Sequence, residues 1–520
     1  MKNKKLFYYI IITITLLNFF TTFTGIDFTD TFWHINTARY YFTLNSLETE
    51  FEKAVLSIQN ENNLIDNFSK RINFHYLSSF LVFCVYDFVG YNLWIVRALN
   101  FIILLCIFFF PSANKDISDK IFSLVIFNCF SIFNFHILSF DFFTVIILYF
   151  SIFLINKDNH SNKILLLISI LLCLSYLIRF QNLILIPLSF VFLKNRLSFR
   201  KNFLVHIPSI LFFTYLYFYI EFFDISHKTS VTEHSFSNIL NSNLTDLPFF
   251  ILFIFIFIFI NKLRDKCNSN LLIFLLSFII MISFISEDYH WRYSLFISSF
   301  LIATISFNKS KILRNLKIVP FFFIFPLGSA TGLYKLVYSL TLFPLLLSNF
   351  TKTSKTQAKV FFLSILPFCL YVKAFYNYED IGARHAYHFI DHSALKYIFT
   401  NKTRSDFINN VQNKIHELQK EGYHILIGGA KSHIFNYIND LTPITVEFYQ
   451  QDLERSFFAK LLSRYSFEKV AYLHFDNYPE WYGNSISNLE YDLLNLGFVY
   501  NQNLNFDFLT FDINQNNQDL

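Results

Sequence analysis

The chain has 520 residues, of which 54% are hydrophobic and only 15% are charged, and its formal net charge is +5. A soluble globular domain carries about 25% charged residues, so this composition excludes an ordinary soluble protein and favours a membrane protein. The net positive charge does not indicate nucleic-acid binding, because the basic residues are distributed by the side of the expected membrane.

Fourteen apolar runs are candidate membrane segments. The first, Phe7–Phe23, follows a basic start and has no small-residue cleavage site after it. It therefore predicts an uncleaved first helix whose N-terminus lies in the cytoplasm. The other runs are Phe74–Val89, Leu93–Phe110, Ile121–Leu138, Phe142–Ile155, Ile164–Ile178, Leu183–Leu193, Phe203–Phe222, Leu247–Ile260, Leu271–Ile285, Leu295–Phe307, Ile318–Leu327, Leu333–Leu347 and Val360–Phe375.

Basic clusters alternate with connections that almost lack Lys and Arg. The clusters are Lys115/Lys120, Lys157/Lys163, Lys194/Arg196/Arg200/Lys201, Lys262/Arg264/Lys266, Lys309/Lys311/Arg314/Lys317 and Lys352/Lys355/Lys359. Positive loops stay in the cytoplasm, and the alternation is regular only if all these clusters lie there. Phe74–Val89 must then not cross, and we expect an interfacial helix at the outer leaflet. The sequence thus predicts about thirteen transmembrane helices in the plasma (inner) membrane, with a long outer loop, Gly25–Arg97.

The composition changes after residue 376. Residues 377–520 contain 11 Lys+Arg and 18 Asp+Glu. Strand-like and helix-like runs alternate there, which predicts a small extracytoplasmic α/β domain after a membrane domain of residues 1–376. The strand-like runs are His424–Ile427, Ile444–Phe448, Val470–Phe475 and Phe506–Asp512, and the helix-like runs are Arg404–Glu421, Leu453–Tyr465 and Ser485–Leu496. The turn Ile427–Lys431 lacks a full phosphate-binding motif, so a plain strand-to-helix turn is favoured.

Polar residues that could do chemistry gather at the predicted outer ends of the helices. Asp27, Asp30 and His34 follow the first apolar run, and Asp141 follows the run Ile121–Leu138. Acidic residues next to hydrocarbon are costly, so an acidic cluster at a helix exit is a candidate functional site. Other outer positions carry Arg179, His290, Arg292 and Lys335. We therefore expect any chemistry on the outer face.

Three stretches resemble a known family. They are the spaced pair Asp27-x-x-Asp30, the stretch Leu138–Phe143 around Asp141, and Trp94–Leu99, which opens a helix with Arg97. Together with the helix order and the outer C-terminal domain, they resemble the GT-C class of polyprenyl-phosphate-sugar-dependent glycosyltransferases. The resemblance is nearest to the bacterial protein-mannosyltransferase and aminoarabinose-transferase branch. That branch usually has adjacent Asp and Glu in its first loop, whereas here two Asp stand three residues apart.

The resemblance implies a membrane transferase of the cell envelope that moves a sugar from a polyprenyl-phosphate donor to an extracytoplasmic polysaccharide, lipid or protein. Asp27 or Asp30 would be the general base, and Asp141 would orient the acceptor or bind a cation. Positive or polar side chains would hold the anionic lipid phosphate and contact the substrates. These are His34, Arg179, His290, Arg292 and Lys335. A divalent cation, Mg²⁺ or Mn²⁺, is chemically compatible with this set, and the C-terminal domain would select the acceptor.

Each assignment has an alternative. Asp27, Asp30 and Asp141 also suit helix N-termini, and Arg292 beside Trp291 suits an interfacial anchor. A flippase or transporter of lipid-linked sugars is a second function, and a polymerase of such sugars is a third. Nearly charge-free apolar runs without an internal repeat favour an outer-face enzyme over a transporter.

Overall fold

The computed structural model describes residues 2–26, 30–61, 64–110, 116–130, 140–157, 160–194, 196–223, 352–375, 386–428, 432–442, 451–474, 487–502 and 507–513, and a few single positions between 224 and 351. The chain is mostly helical, with a small sheet region towards its C-terminal end. This confirms the fold prediction at the coarse level. The apolar runs predicted between Leu247 and Leu347 lie outside the described residues, apart from those single positions.

The helices in the first part of the chain include the long apolar segments and several shorter ones in the predicted outer loop. They are α1 Lys2–Phe20, α2 Asp30–Thr43, α3 Glu50–Glu61, α4 Leu64–Asn73, α5 Tyr76–Phe88, α6 Leu93–Phe109, α7 Ile117–Phe130, α8 Phe140–Ile155, α9 Asn162–Ile178, α10 Leu185–Leu193 and α11 Phe199–Phe218, and α12 Lys352–Phe375 follows later. Helix α5 corresponds to the run expected at the interface. It has 13 residues, and α10, in a run predicted to cross, has 9, whereas a span takes about 20, so helix length does not separate the two predictions.

Within the described residues, one helix, Lys5–Phe23 near the N-terminus, has both the length and the apolar composition to cross a membrane. Other apolar helices are shorter, at 10–17 residues: Tyr76–Phe88, Leu93–Phe109, Phe142–Ile155, Asn162–Ile178 and Phe180–Leu193. The number of spanning helices therefore stays a prediction.

The chain forms two compact units, and each is built from separate pieces of sequence. The first unit contains Met1–Thr22, Asn73–Ser78 and Ala98–Asn377, and the second contains Phe23–Ile72, Ser79–Arg97 and Tyr378–Leu520. Most of the predicted outer loop thus belongs to the same unit as the C-terminal segment.

In the first unit, polar contacts show the direction of neighbouring helices. Lys355 and Lys359 near the start of α12 contact the carboxylate of Asp119 near the start of α7, at N–O distances of 3.0 and 3.6 Å. Further along both helices, the Cys129 thiol lies 3.5 Å from the carbonyl oxygen of Phe362. The contacts advance in the same direction along both helices, so α7 and α12 run parallel.

Helices α8 and α10 of the same unit are also parallel. Asn182, just before α10, donates to the hydroxyl of Thr144 near the start of α8 at 3.3 Å. Arg196, just after α10, donates to the carbonyl oxygens of Ile155 and Lys157 at the end of α8, at 2.8 and 2.9 Å. In both helix pairs, the ends that meet are ends predicted for the same side of the membrane.

The second unit contains a mixed four-stranded sheet in the order β3-β4-β6-β5. Strands β3 and β4 are parallel, and the other two pairings are antiparallel. The strands are β1 His388–Phe389, β2 Phe399–Thr400, β3 His424–Gly428, β4 Lys469–His474, β5 Val499–Gln502 and β6 Asp507–Asp512, and the helices are α13 Lys402–Lys420, α14 Ser432–Asn439, α15 Gln451–Arg464 and α16 Ser487–Asn495. Strands β3, β4 and β6 and helices α13, α15 and α16 confirm the predicted runs. The predicted strand Ile444–Phe448 lies outside the described residues.

The core of the second unit joins the predicted outer loop to the C-terminal segment. Helix α3 contributes Phe51, Ala54, Val55 and Ile58, whose spacing of three and four places them on one helix face. The C-terminal members of this core are Leu426, Phe457, Phe458, Leu461, Val470, Tyr472, Leu493, Phe498 and Leu509. The loop and the α/β segment therefore fold around one shared core.

Candidate functional site

The residues directly before the acidic pair are fixed to the C-terminal segment. The amide of Gly25 donates to the carbonyl of Phe399 at 2.8 Å, and Thr24 forms a parallel bridge with the same residue. The guanidinium of Arg404 donates to the carbonyl of Ile26, the residue that precedes Asp27. Gly25 has a φ of +87°, a left-handed conformation that favours glycine. The chain therefore approaches the acidic pair along a defined path.

The residues after the acidic pair are fixed as well. Helix α2 begins at Asp30 and packs on α14. The side-chain amide of Asn36 donates to the carbonyl of His433 at 2.7 Å. The ring of Phe32 packs on that of Tyr437, with centroids 5.1 Å apart. Contacts to the C-terminal segment thus flank the stretch that carries Asp27 and Asp30 on both sides.

Further along α2, a cation and three phenols extend this contact. The guanidinium of Arg39 pairs with the Asp440 carboxylate at 2.5 Å and lies 4.1 Å above the ring of Tyr91. The hydroxyl of Tyr437 donates to the carbonyl of Tyr91. Burial raises the pKa of Tyr91 to about 12, and burial also raises the pKa values of Tyr86 and Tyr437. These phenols stay protonated at neutral pH, so none of them is a good general base.

The structure describes the backbone position of two of the three predicted acids. Asp27 lies outside the described residues, Asp30 is the first residue of α2, and Asp141 is the second residue of α8. A carboxylate in the first turn of a helix is stabilised by the helix dipole. The structural alternative and the catalytic one are both compatible with these two positions.

Arg179 and Asp141 lie at the same end of the first unit's helix pair α8 and α9. Arg179 is only 4% exposed, and its Nε donates to Gln181 at 3.2 Å. The contact between Asn182 and Thr144 comes three residues after each of them along the chain. A lipid phosphate bound by Arg179 would therefore have to reach the interior of this helix end.

The same end also meets the start of the predicted interfacial helix. The amide of Phe180 donates to the carbonyl of Phe74 at 2.8 Å, and the hydroxyl of Ser78 donates to that of Ile178 at 2.9 Å. Three pieces expected at the outer leaflet are thus in contact within the first unit.

The remaining predicted substrate and metal residues are only partly described. His34 is half-buried, with its ring centroid 4.6 Å from that of Trp33. His290, Arg292 and Lys335 lie outside the described residues. Over the described ranges, no group of three or more His, Cys, Asp or Glu could hold a metal ion. The Mg²⁺ or Mn²⁺ site stays a prediction.

Gly428 is the last residue of strand β3 and belongs to the Ile427–Lys431 turn. A Cβ at this position would collide with the hydroxyl of Tyr472 on the neighbouring strand. Glycine is therefore required by close packing inside the sheet, which favours the plain turn. Residues 429–431 lie outside the described residues.

Sequence reasoning missed a buried polar network in the first unit. Lys373 in α12 is 8% exposed, and its ammonium donates to the side-chain oxygen of Asn18. Asn18 donates to Asn128 at 3.0 Å, and Asn128 donates to the hydroxyl of Thr15 at 2.8 Å. The network joins α1, α7 and α12. A lysine inside the apolar run Val360–Phe375 was the available signal, because such charges are costly in hydrocarbon.

Comparisons of the chain with protein-family models, with curated proteins and with solved structures found no match.

Proposed function

We propose that this chain is a membrane glycosyltransferase that moves one sugar from a polyprenyl-phosphate donor to an extracytoplasmic acceptor, which is a surface polysaccharide, a lipid or a protein. The observation that supports it most is that contacts hold the backbone directly before the acidic pair and the helix after it. Asp27 and Asp30 follow the apolar helix α1, and contacts from Phe399, Arg404 and His433 flank their stretch on both sides. A carboxylate at such a position can serve as a general base for an acceptor. The resemblance to the GT-C class supports the same function.

The proposed reaction is a displacement at the anomeric carbon of the donor sugar. The acceptor oxygen or nitrogen forms a bond to that carbon, and the bond between the carbon and the phosphate oxygen breaks. The polyprenyl phosphate leaves with the electron pair, and the acceptor proton passes to Asp27 or Asp30. Developing negative charge on the phosphate needs cationic partners.

We assign the substrate-binding residues that the sequence analysis predicted. Arg179, His290, Arg292 and Lys335 would bind the phosphate, His34 would contact the acceptor, and Asp141 would orient the acceptor or hold a cation. Of these, Asp141 at the start of α8 and Arg179 after α9 occupy chain positions at one end of this helix pair in the first unit.

The helix contacts of the first unit fit the predicted alternation of loop sides. Asp119 meets Lys355 and Lys359, and Arg196 meets Lys157, so residues around predicted cytoplasmic clusters contact one another. Basic clusters that all lie on one side of a membrane would produce such contacts. The plasma-membrane location, with the acidic pair outside, is part of the proposal and follows from the distribution of Lys and Arg.

A flippase of lipid-linked sugars is the second candidate. The observation that favours it is Lys373, a cation buried within an apolar helix beside Asn18 and Asn128. Transporters often place such groups within the membrane.

The test is a mass profile of glycans and glycolipids from a deletion strain complemented with variants. We expect the deletion to lose one sugar from a surface glycan or lipid, and Asp27→Asn/Asp30→Asn to fail to restore it at normal membrane abundance. The matched control is Asp66→Asn, which removes another first-loop carboxylate that pairs with Lys70 on the exposed surface. This control should restore the profile.

Two results would contradict the proposal. Restoration of the wild-type profile by the double variant would make the acidic pair structural. Accumulation of the intact lipid-linked sugar on the cytoplasmic side in the deletion strain would favour the flippase instead.

A further inference from the structure

We infer that Arg404 is a positioning residue of the proposed transferase, and that the C-terminal segment holds the base-bearing stretch in place through it. This inference rests on the proposed function. It gives the C-terminal domain a positioning part in catalysis, beyond the selection of an acceptor.

The start of helix α13, which carries Arg404, is itself held by a hydrogen bond. The side-chain oxygen of Asn401 accepts from the amide of Arg404 at 2.9 Å, which is an N-cap contact at the start of α13. The preceding strand residue, Phe399, binds Gly25. Arg404 therefore reaches Ile26 from a helix start whose position is already set by two neighbouring contacts.

The partner of Arg404 is the backbone carbonyl next to the candidate base. The carbonyl carbon of Ile26 is bonded to the amide nitrogen of Asp27, so the hydrogen bond fixes the peptide plane from which Asp27 extends. Ile26 is 1% exposed, so water does not replace this contact readily if it is lost. On the other side of the pair, Asn36 fixes α2 and hence the backbone of Asp30. Loss of Arg404 would release one of these two constraints.

A second arginine offers a matched control. Arg464 at the end of α15 pairs with Glu61 at the end of α3, so it also joins the C-terminal segment to the first loop. Glu61 stands near the middle of the loop in sequence, well after the acidic pair, and the contact is exposed. Exposed pairs of this kind contribute little to stability.

The experiment measures the initial rate of product accumulation after induction in the deletion strain, divided by the membrane abundance of each variant. We expect Arg404→Met to lose at least tenfold, Arg404→Lys to recover part of that loss because its ammonium can donate to the carbonyl, and Arg464→Met to stay within twofold of wild type. Rescue by lysine separates positioning by a donor from a loss of bulk.

Three results would overturn the inference: an Arg404→Met rate within twofold of wild type, an equal loss in Arg464→Met, or an Arg404→Lys rate no better than that of Arg404→Met. If Arg404→Met does not accumulate, Arg404→Gln takes its place under the same criteria. Failure of both uncharged variants to accumulate, while Arg404→Lys accumulates, also overturns it, because Arg404 would then serve folding. Failure of the proposed function is distinguishable, because Asp27→Asn/Asp30→Asn would then keep the wild-type rate.

Discussion

Replacing Ile58 by alanine tests whether the first loop and the C-terminal segment share one core. Ile58 lies in α3, is fully buried, and belongs to the same cluster as Val470 and Tyr472 of strand β4. Truncating a buried Ile to Ala costs about 2–5 kcal/mol. Because β4 lies between β3 and β6, its amides should exchange with solvent only when much of the unit opens.

The expected effect follows from this range. A loss of about 3 kcal/mol, at about 1.4 kcal/mol per tenfold, speeds exchange through such openings about 100-fold. Ile58→Val removes one methylene and costs about 1 kcal/mol, which is about fivefold. The assay is hydrogen–deuterium exchange by mass spectrometry on the full chain in detergent, followed at the peptide that contains Lys469–His474.

The control is Asn60→Ala, which changes an exposed position on the same helix and should leave exchange in β4 unchanged. The shared-core argument fails if Ile58→Ala also leaves this peptide unchanged, because a separately folded C-terminal domain would not sense a substitution in α3.

Three further changes probe other contacts. Gly25→Ala puts a Cβ on a left-handed backbone at a cost of about 1–2 kcal/mol. It should speed hydrogen–deuterium exchange in the peptide that contains β2 about five- to thirtyfold, and an exchange rate equal to that of the wild type would contradict the strain argument. Burial lowers the pKa of His424 below 6.5, so the unfolded chain binds a proton at this histidine more readily than the folded chain does. The thermal midpoint of the second unit should therefore be highest above about pH 6.5 and fall as the pH drops below it. His424→Gln should make that fall smaller. Asn18→Leu removes the side-chain oxygen that accepts from the Lys373 ammonium and should lower the thermal midpoint. The double variant Asn18→Leu/Lys373→Leu should recover part of that loss, and a double variant that recovers nothing would refute the pairing.

The sequence predicted six of the ten described C-terminal helices and strands, because their patterns are local, and it missed β1, β2, β5 and α14. Strand β4 differs from its predicted bounds by one residue at each end, and α13 begins two residues earlier than expected. Alternating apolar strands and amphipathic helices carry their own periodicity, so each element can be identified without its partners.

Helix α3 was missed although its signals are present. Thr49 and Glu52 form a reciprocal capping box, in which the amide of Thr49 donates to the Glu52 carboxylate at 2.9 Å and the amide of Glu52 donates to the Thr49 hydroxyl at 3.1 Å. The apolar residues then recur at helical spacing from Phe51 to Ile58. Such a pattern shows which face is buried but does not show what covers it, so the shared core could not be predicted.

The contact of Arg404 had no signal at all. An arginine in the first turn of an amphipathic helix is ordinary, and its partner is a backbone carbonyl, which any residue at position 26 would supply. Side-chain contacts to distant backbone depend on tertiary structure alone. The acidic pair could be found from its position after an apolar helix, whereas the group that positions it could not.

The order of the chain has a consequence for how the candidate site forms. Helix α3 and the acidic stretch are synthesised early, but Phe399, Arg404 and the strands that complete their core come several hundred residues later. Until then, the apolar face of α3 lacks the partners that bury it, and the backbone at Ile26 lacks its donor. A chain that stops at Asn377 would keep α1 and both aspartates yet lack every described C-terminal contact that flanks them. The backbone on either side of the aspartates would then have to offset the entropy of ordering without those contacts. The backbone before the acidic pair and the helix after it therefore gain these contacts only in a chain that includes the C-terminal segment.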